Sequence, residues 1–243
     1  MTSAKPMSLE QAREWLQSAT AVAVLTGAGI STESGVPTFR GPGGLWREYK
    51  PEDLATPEAF ARDPRLVWEW YNWRREALKQ AKPNAGHAAL VRLEVKKPHF
   101  TLITQNVDGL HDMAGSGRIL KLHGDIWRMR CTSCGSNWPD RRAPLPKLPP
   151  HCGCGGLARP GVVWFGEPLP EGMMQEAEHA TRAAQVFLAV GTSAQVYPAA
   201  GLIPLAKQSG ARVIQVNLEP TPYSPIVDCA LEGPAGEILP QLI

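Results

Sequence analysis

"AVAVLTGAGIS", residues 21–31, is the stretch on which the fold turns. An apolar run that stops at Gly27-Ala28-Gly29 reads as a buried parallel strand entering a glycine turn. At such a turn, backbone N–H groups and a helix N-terminus can face a pyrophosphate. The sequence repeats the pattern at FTLITQN (100–106), VFLAVGT (186–192) and RVIQVNLE (212–219). Amphipathic helical patterns lie between these runs: 8–18 behind a Ser8/Gln11 capping box, 86–95, 171–184, and 198–209 opening on Pro198. Strands alternating with helices at this spacing predict an α/β fold, an open parallel sheet with right-handed crossovers. The turn alone does not specify a dehydrogenase, because the third glycine of G-x-G-x-x-G is replaced by Thr32.

A chain of 243 residues can bury one large core or a core with an insertion. Its net charge of +2 gives no basic field for a nucleic acid. No run approaches the roughly 18 apolar residues of a membrane span. The expectation is a cytoplasmic monomer acting on neither membranes nor nucleic acid. Two stretches break the strand-helix alternation, a Gly/Pro-rich loop with a long helix (35–85) and a Cys/Pro-rich segment (126–160). Both read as insertions on the ligand side of the sheet. The Pro-rich piece from Pro139 to Pro150 reads as an ordered loop.

Four of the five cysteines lie in CTSC (131–134) and CGC (152–154). Two thiolate knuckles at this separation, in a chain without a secreted disulfide framework, suit a closed tetrahedral zinc site. Such a site is structural, because no position is left open for chemistry. The ligands are then Cys131, Cys134, Cys152 and Cys154, with His151 able to replace one thiolate. Cys229 reads as a packing residue.

GAGISTESGVPTFRGPGGLW, TQNVDGLH, LKLHGD, the four cysteines, RPGVVWFGE, VGTSAQVYPAA and VNLE, in that order, together resemble the sirtuins, NAD-dependent protein lysine deacylases. The resemblance covers nearly the whole chain. It implies a Rossmann-like large part (about 1–34, 86–125 and 160–243) and a small part made of a helical insertion (about 35–85) and a zinc module (about 126–159). The cleft between them would take NAD and an acyl-lysine peptide bound as an extended strand. By the same resemblance, Gly27, Ala28, Gly29, Ile30 and Ser31 meet the NAD phosphates, and Phe39, Arg40 and Trp46 close over the cofactor. Gln105, Asn106 and Asp108 surround nicotinamide and its ribose. Gly191, Thr192 and Ser193 continue the site, Asn217 and Glu219 meet the adenosine ribose, and Ala235 completes the set.

His123 in LKLHGD is the candidate base, since imidazole accepts a proton near neutral pH. His111 reads as structural, and His87, His99 and His179 carry no signal. The implied reaction begins when the acyl oxygen attacks the ribose carbon bearing nicotinamide, whose departure leaves an alkylimidate for the ribose hydroxyl to attack. His123 then activates a ribose hydroxyl, and water completes release of lysine and O-acyl-ADP-ribose. Phe165 and Gly166, in strand-like VVWFGE, resemble the segment that pairs with substrate backbone. A dead nucleotide-binding fold with a zinc ribbon and mono-ADP-ribosyl transfer are the rival readings.

The acyl group is read from VWEWYNWRRE (67–76). Counted at about 100° per residue from Leu66, Trp73, Ala77, Trp70, Val67 and Leu78 form an apolar arc from about 340° to about 120°. Glu69, Asn72 and Glu76 fall opposite, and Arg75 at about 180° sits at the edge of the polar side. Trp70 and Trp73 are therefore expected in the core, not exposed for base stacking. Arg74, at about 80°, falls inside the apolar arc with Tyr71 on its flank. An arginine there needs an anion, from an internal acid or from a substrate carboxylate, unless it snorkels. Tyr71-x-x-Arg74 matches the signature of desuccinylase-type (class III) sirtuins, and Ala55 matches their small residue that leaves room for a longer acyl chain. That resemblance implies removal of succinyl and malonyl groups, with glutaryl a further candidate and acetyl a poorer substrate. A deacetylase-dominant enzyme is the alternative.

Overall fold

The computed structural model describes residues 8–38 and 50–243. Phe39, Arg40 and Trp46 lie outside the described residues. The strands are β1 (Ala21–Thr26), β2 (His99–Thr104), β3 (Ile119–Lys121), β4 (Gly124–Cys131), β5 (Asn137–Pro139), β6 (Ala158–Val162), β7 (Val186–Val190), β8 (Arg212–Asn217) and β9 (Cys229–Glu232). Six of them form a parallel sheet in the order β3-β2-β1-β7-β8-β9. The chain winds outward from β1 and then returns to β7 on its other side. That reversal opens a crevice beyond the carboxyl ends of β1 and β7.

Both faces of the sheet are covered, which is why its strands read as continuous apolar runs. Val22 and Val24 of β1 pack toward α1 (Leu9–Ser18), α5 (Ala85–Lys96) and α9 (Ala235–Leu242). Ala23 and Leu25 face α7 (Met173–Ala183) and α8 (Leu202–Gln208). The expected strands end one to two residues early, leaving Gln105, Asn106, Gly191, Thr192 and Glu219 past their ends. The short strand β3 is the one expected to end near His123, whereas β9 gave no periodic signal. The helix expected at 198–209 begins with a 3-10 turn, Ala199–Gly201, before α8. At α1, Ser8 Oγ accepts from Gln11 N at 3.4 Å, but the Gln11 side chain bonds to Glu14, so only half of the capping box forms.

A second, antiparallel sheet, β5-β4-β6, carries the cysteines. It spans Gly124 to Val162, slightly beyond the expected 126–159 at both ends. The segment expected to be strand-like through VVWFGE leaves the sheet at Val162, and Phe165 and Gly166 form a turn. That turn is held by Phe165 N donating to Ala55 O at 2.9 Å. The 139–150 loop is ordered and buries Asp140, Ala143 and Leu145.

The helical insertion supplies α2 (Pro51–Leu54), α3 (Pro57–Arg62) and α4 (Pro64–Gln80); α6 (Leu110–Ala114) follows the QNVD loop. The buried face of α4 is Val67, Trp68, Trp70, Tyr71, Asn72, Arg74, Arg75 and Leu78, an arc from about 40° to about 240°. The expected face was rotated by roughly a quarter turn. Trp73 is 46% exposed, Ala77 is also exposed, and Trp68 and Arg75 are fully buried. The reason lies in the polar partners supplied by the second sheet and its loop. Trp68 Nε1 donates to Ala158 O at 2.7 Å, and Asn72 Oδ1 accepts from Leu145 N at 2.7 Å. The Arg75 guanidinium bonds to the Asp140 carbonyl and carboxylate and lies over the Trp127 ring. A wheel that counts only apolarity places such residues on the wrong side.

Candidate active site in the cleft beyond β1 and β7

A cavity of about 970 Å³ lies at the crevice. Its floor is backbone. Gly29 N donates to Gly191 O at 2.8 Å, and a Cβ on Gly29 would come within 2.7 Å of Gly191 Cα. Gly191 has φ +57°, and a Cβ there would meet Ile30 N at 2.3 Å. Only glycine at both positions lets the turns after β1 and β7 touch. Gly27, Ala28 and Gly29, Gly191, Thr192 and Ser193, and Asn217 and Glu219 all line the cavity. The turn itself is a 3-10 helix, Ala28–Ser34, in which Thr32 Oγ1 bonds back to Gly29 O at 2.8 Å.

Ile30 and Ser31 face inward and are fully buried. Ser31 Oγ donates to Asp108 Oδ2 at 2.8 Å, and Asn106 Nδ2 reaches Gly27 O at 3.1 Å and Ser31 Oγ at 3.3 Å. Leu110 N donates to Asp108 Oδ1 at 2.8 Å. Burial nevertheless raises the Asp108 pKa above the ordinary carboxylate value. Asp108 therefore braces the turn from below, while Gln105 and Asn106 line the cavity. Gln105 Nε2 donates to Thr192 Oγ1 at 3.0 Å, joining the loops after β2 and β7. Ala235 does not line the cavity; it is buried at the start of α9 with its carbonyl near Gly86.

His123 stands at the cavity wall, with Nδ1 3.0 Å from Gln105 O. A carbonyl only accepts, so Nδ1 carries the hydrogen and Nε2 is left as the basic nitrogen. Burial lowers its pKa, only partly offset by that hydrogen bond, which keeps the ring neutral at pH 7. His111 is structural as expected, with Nε2 3.0 Å from Thr26 Oγ1. His87 gave no signal in the sequence, yet it is fully buried, caps α5 with Asn84 and lies 4.8 Å from the His111 ring.

Farther in, the wall is formed by Ala55, Trp70, Tyr71, Arg74 and Trp164, with Phe165 and Gly166 at the lip. Tyr71 and Arg74 are 2% and 7% exposed. The Arg74 guanidinium carbon lies 4.9 Å from the Trp70 ring centroid and 5.9 Å from that of Tyr71. Burial weakens its hold on its proton, and the Tyr71 and Asp108 groups partly restore it. The sequence reading missed Trp164, Gln195 and Tyr197 as cavity residues. All three lie inside quoted motifs, Trp164 in VVWFGE and Gln195 and Tyr197 in VGTSAQVYPAA.

The four predicted cysteine sulfurs lie within 4.8 Å of one another. Cys131–Cys154 is 3.5 Å and Cys134–Cys152 is 3.8 Å, near the roughly 3.8 Å edge of a tetrahedron with metal–sulfur bonds of about 2.3 Å. Cys131 Sγ also accepts from Ser133 N and Cys134 N, both at 3.4 Å. The set fits zinc. His151 is exposed, bonds to Pro149 O and is not in the cluster. Cys229 is buried in the core, as expected.

The Sir2 family pattern matches residues 27–198, most of the chain. The chain belongs to the Sir2 family. Among Sir2 relatives, the "NAD-dependent protein deacylase" of Thermus thermophilus is 52% identical over 97% of this chain and 94% of its own length. That of Aquifex aeolicus is 57% identical over 85% of this chain and 87% of its own. A solved Sir2 homologue–NAD complex superposes with a TM-score of 0.92 at 45% identity, covering 99% of this chain and 94% of that one. A Sir2–p53 peptide–NAD+ structure gives 0.86 at 32% identity, covering 97% of each. The Rossmann-like parallel sheet is thus the Sir2 fold, and its carboxyl-end cleft is the cavity described above.

Proposed function

We propose that this Sir2 protein is an NAD-dependent protein-lysine deacylase that prefers succinyl- and malonyl-lysine, accepts glutaryl, and removes acetyl less efficiently. The NAD-dependent deacylase reading is supported by the names of the relatives and by the match of fold to an NAD complex. The acyl preference is supported by a single observation: the buried pair Tyr71 and Arg74 lines the same cavity as His123.

The turn after β1 and the turn after β7 would hold the NAD phosphates, and Asn217 and Glu219 the adenosine ribose. Bound NAD supplies the electrophilic ribose carbon and the ADP-ribose that carries the acyl group away. His123 Nε2 faces the cavity as a neutral base and takes a proton from a ribose hydroxyl. Trp164 and Phe60, 5.3 Å apart, help exclude water. Ala55 leaves room for a longer acyl chain, and its carbonyl pins the turn carrying Phe165 and Gly166 against the peptide path. The terminal carboxylate of that chain meets the guanidinium fork of Arg74 and the phenol of Tyr71. A zinc ion held by Cys131, Cys134, Cys152 and Cys154 would tie the second sheet together and take no chemical part.

Arg74→Met tests the acyl preference. Losing a charge-assisted contact should lower kcat/KM for a succinyl peptide roughly 10- to 100-fold, with a much smaller loss for the acetyl peptide. An equal fall in both would make Arg74 structural.

A further inference from the structure

Tyr71 can serve a carboxylate only if its hydroxyl hydrogen points into the cavity, and a neighbour decides where that hydrogen points. Trp164 Nε1–H donates to the Tyr71 hydroxyl at 2.9 Å. An indole N–H only donates, whereas a hydroxyl has one hydrogen and two lone pairs. The contact occupies a lone pair and leaves the phenolic hydrogen to be donated elsewhere. Both side chains are nearly fully buried and both line the cavity beside Arg74. In such a place the remaining hydrogen needs an acceptor.

Trp164 has little freedom to turn away. Its backbone N–H donates to Glu167 Oε2 at 2.8 Å. The Arg159 guanidinium lies over the indole, its carbon 3.4 Å from the ring centroid, and is held there by both oxygens of Glu167 at 2.5 and 2.8 Å and by Val162 O at 2.9 Å. A cation stacked on one face, with a carboxylate gripping the cation, fixes the ring plane and so the direction of its N–H.

We propose that Trp164, clamped by the Arg159–Glu167 pair, is a positioning residue for acyl selectivity: its indole N–H turns Tyr71 into a donor toward the terminal carboxylate of a dicarboxylic acyl-lysine. The proposal rests on the reading of Tyr71 and Arg74 given above. It makes the selectivity a property of three residues from two segments, of which only two touch the acyl group.

The test compares Trp164→Phe, Tyr71→Phe and the double variant. For each, the succinyl-to-acetyl ratio of kcat/KM is measured, together with calorimetric binding of a succinyl-lysyl peptide in the absence of NAD. Loss of one orienting hydrogen bond should lower the ratio roughly 3- to 10-fold in Trp164→Phe, mainly through KM, and weaken peptide binding by a similar factor. The double variant should match Tyr71→Phe alone, because without the hydroxyl the indole has nothing to orient. A second replacement at 164, benzothienylalanine, puts sulfur in place of the N–H while keeping the ring's packing, and should act like Trp164→Phe. Wild-type enzyme preferring succinyl while both replacements keep that preference would overturn this proposal alone, as would multiplicative effects in the double variant. Wild-type enzyme with no succinyl preference would overturn the Tyr71–Arg74 reading and this proposal with it.

Discussion

At the scale of single residues, chemistry depends on which hydrogen sits where. His123 offers Nε2 because Gln105 O claims the Nδ1 hydrogen. Since burial lowers its pKa, the acid limb of the kcat/KM profile should fall below the ordinary histidine value of about 6.5. Activity is then retained at mildly acidic pH and lost only as pH falls through that lowered pKa. A limb at or above about 6.5 would mean another group titrates. His123→Ala should fold, retain its metal and lose nearly all deacylation, as a peptide assay checks. The position of this residue was legible, because LKLHGD put His123 at a strand end beside the cleft, where it lines the cavity. The sequence could not carry the tautomer, nor the role of Trp164, which exist only once residues distant in sequence meet.

At the scale of elements, α4 shows where pattern reading stops. Its apolarity pointed to Trp73, whereas the packed face holds Trp68 and Arg75, because Ala158 O and Asp140 come from another segment to pair with them. Trp68→Ala should therefore cost roughly 3–5 kcal/mol in urea unfolding, and Trp73→Ala less than about 1 kcal/mol. The reverse order would restore the wheel. Parallel strands were legible because burial on both faces writes itself as an unbroken apolar run. The edge strand β9, four residues long, was too short to write anything. The cysteine knuckles were legible because tetrahedral thiolate chemistry fixes residue type as well as spacing. One zinc per chain is expected from elemental analysis, and its chelation should melt the three-stranded sheet; less than about half an equivalent of any metal would contradict this.

At the scale of the molecule, two buried histidines behind the glycine turn tie stability to pH. His87 is lowered to about 4 and His111 to about 3, in each case chiefly by burial. Both are neutral in the folded chain, whereas the unfolded chain takes up protons near 6.5. Stability is thus fully present above that value and declines as pH falls toward the folded pKa values, by roughly 2 kcal/mol per histidine at pH 5. The urea midpoint should drop between pH 7 and pH 5, and drop less in a His87→Gln/His111→Gln variant. The sheet, the cleft at its carboxyl ends and the cysteine cluster together form a frame that many acyl chemistries could share. The proposed acyl preference rests on the buried Tyr71–Arg74 pair at the cavity wall. The most direct measurement is mass spectrometry of acetyl-, malonyl-, succinyl- and glutaryl-lysyl versions of one peptide, each incubated with the protein with and without NAD. The account predicts NAD-dependent deacylation, fastest for succinyl and malonyl, with the matching O-acyl-ADP-ribose. It is contradicted by acetyl removal exceeding succinyl removal, by ADP-ribosylated protein in place of free lysine, or by turnover without NAD.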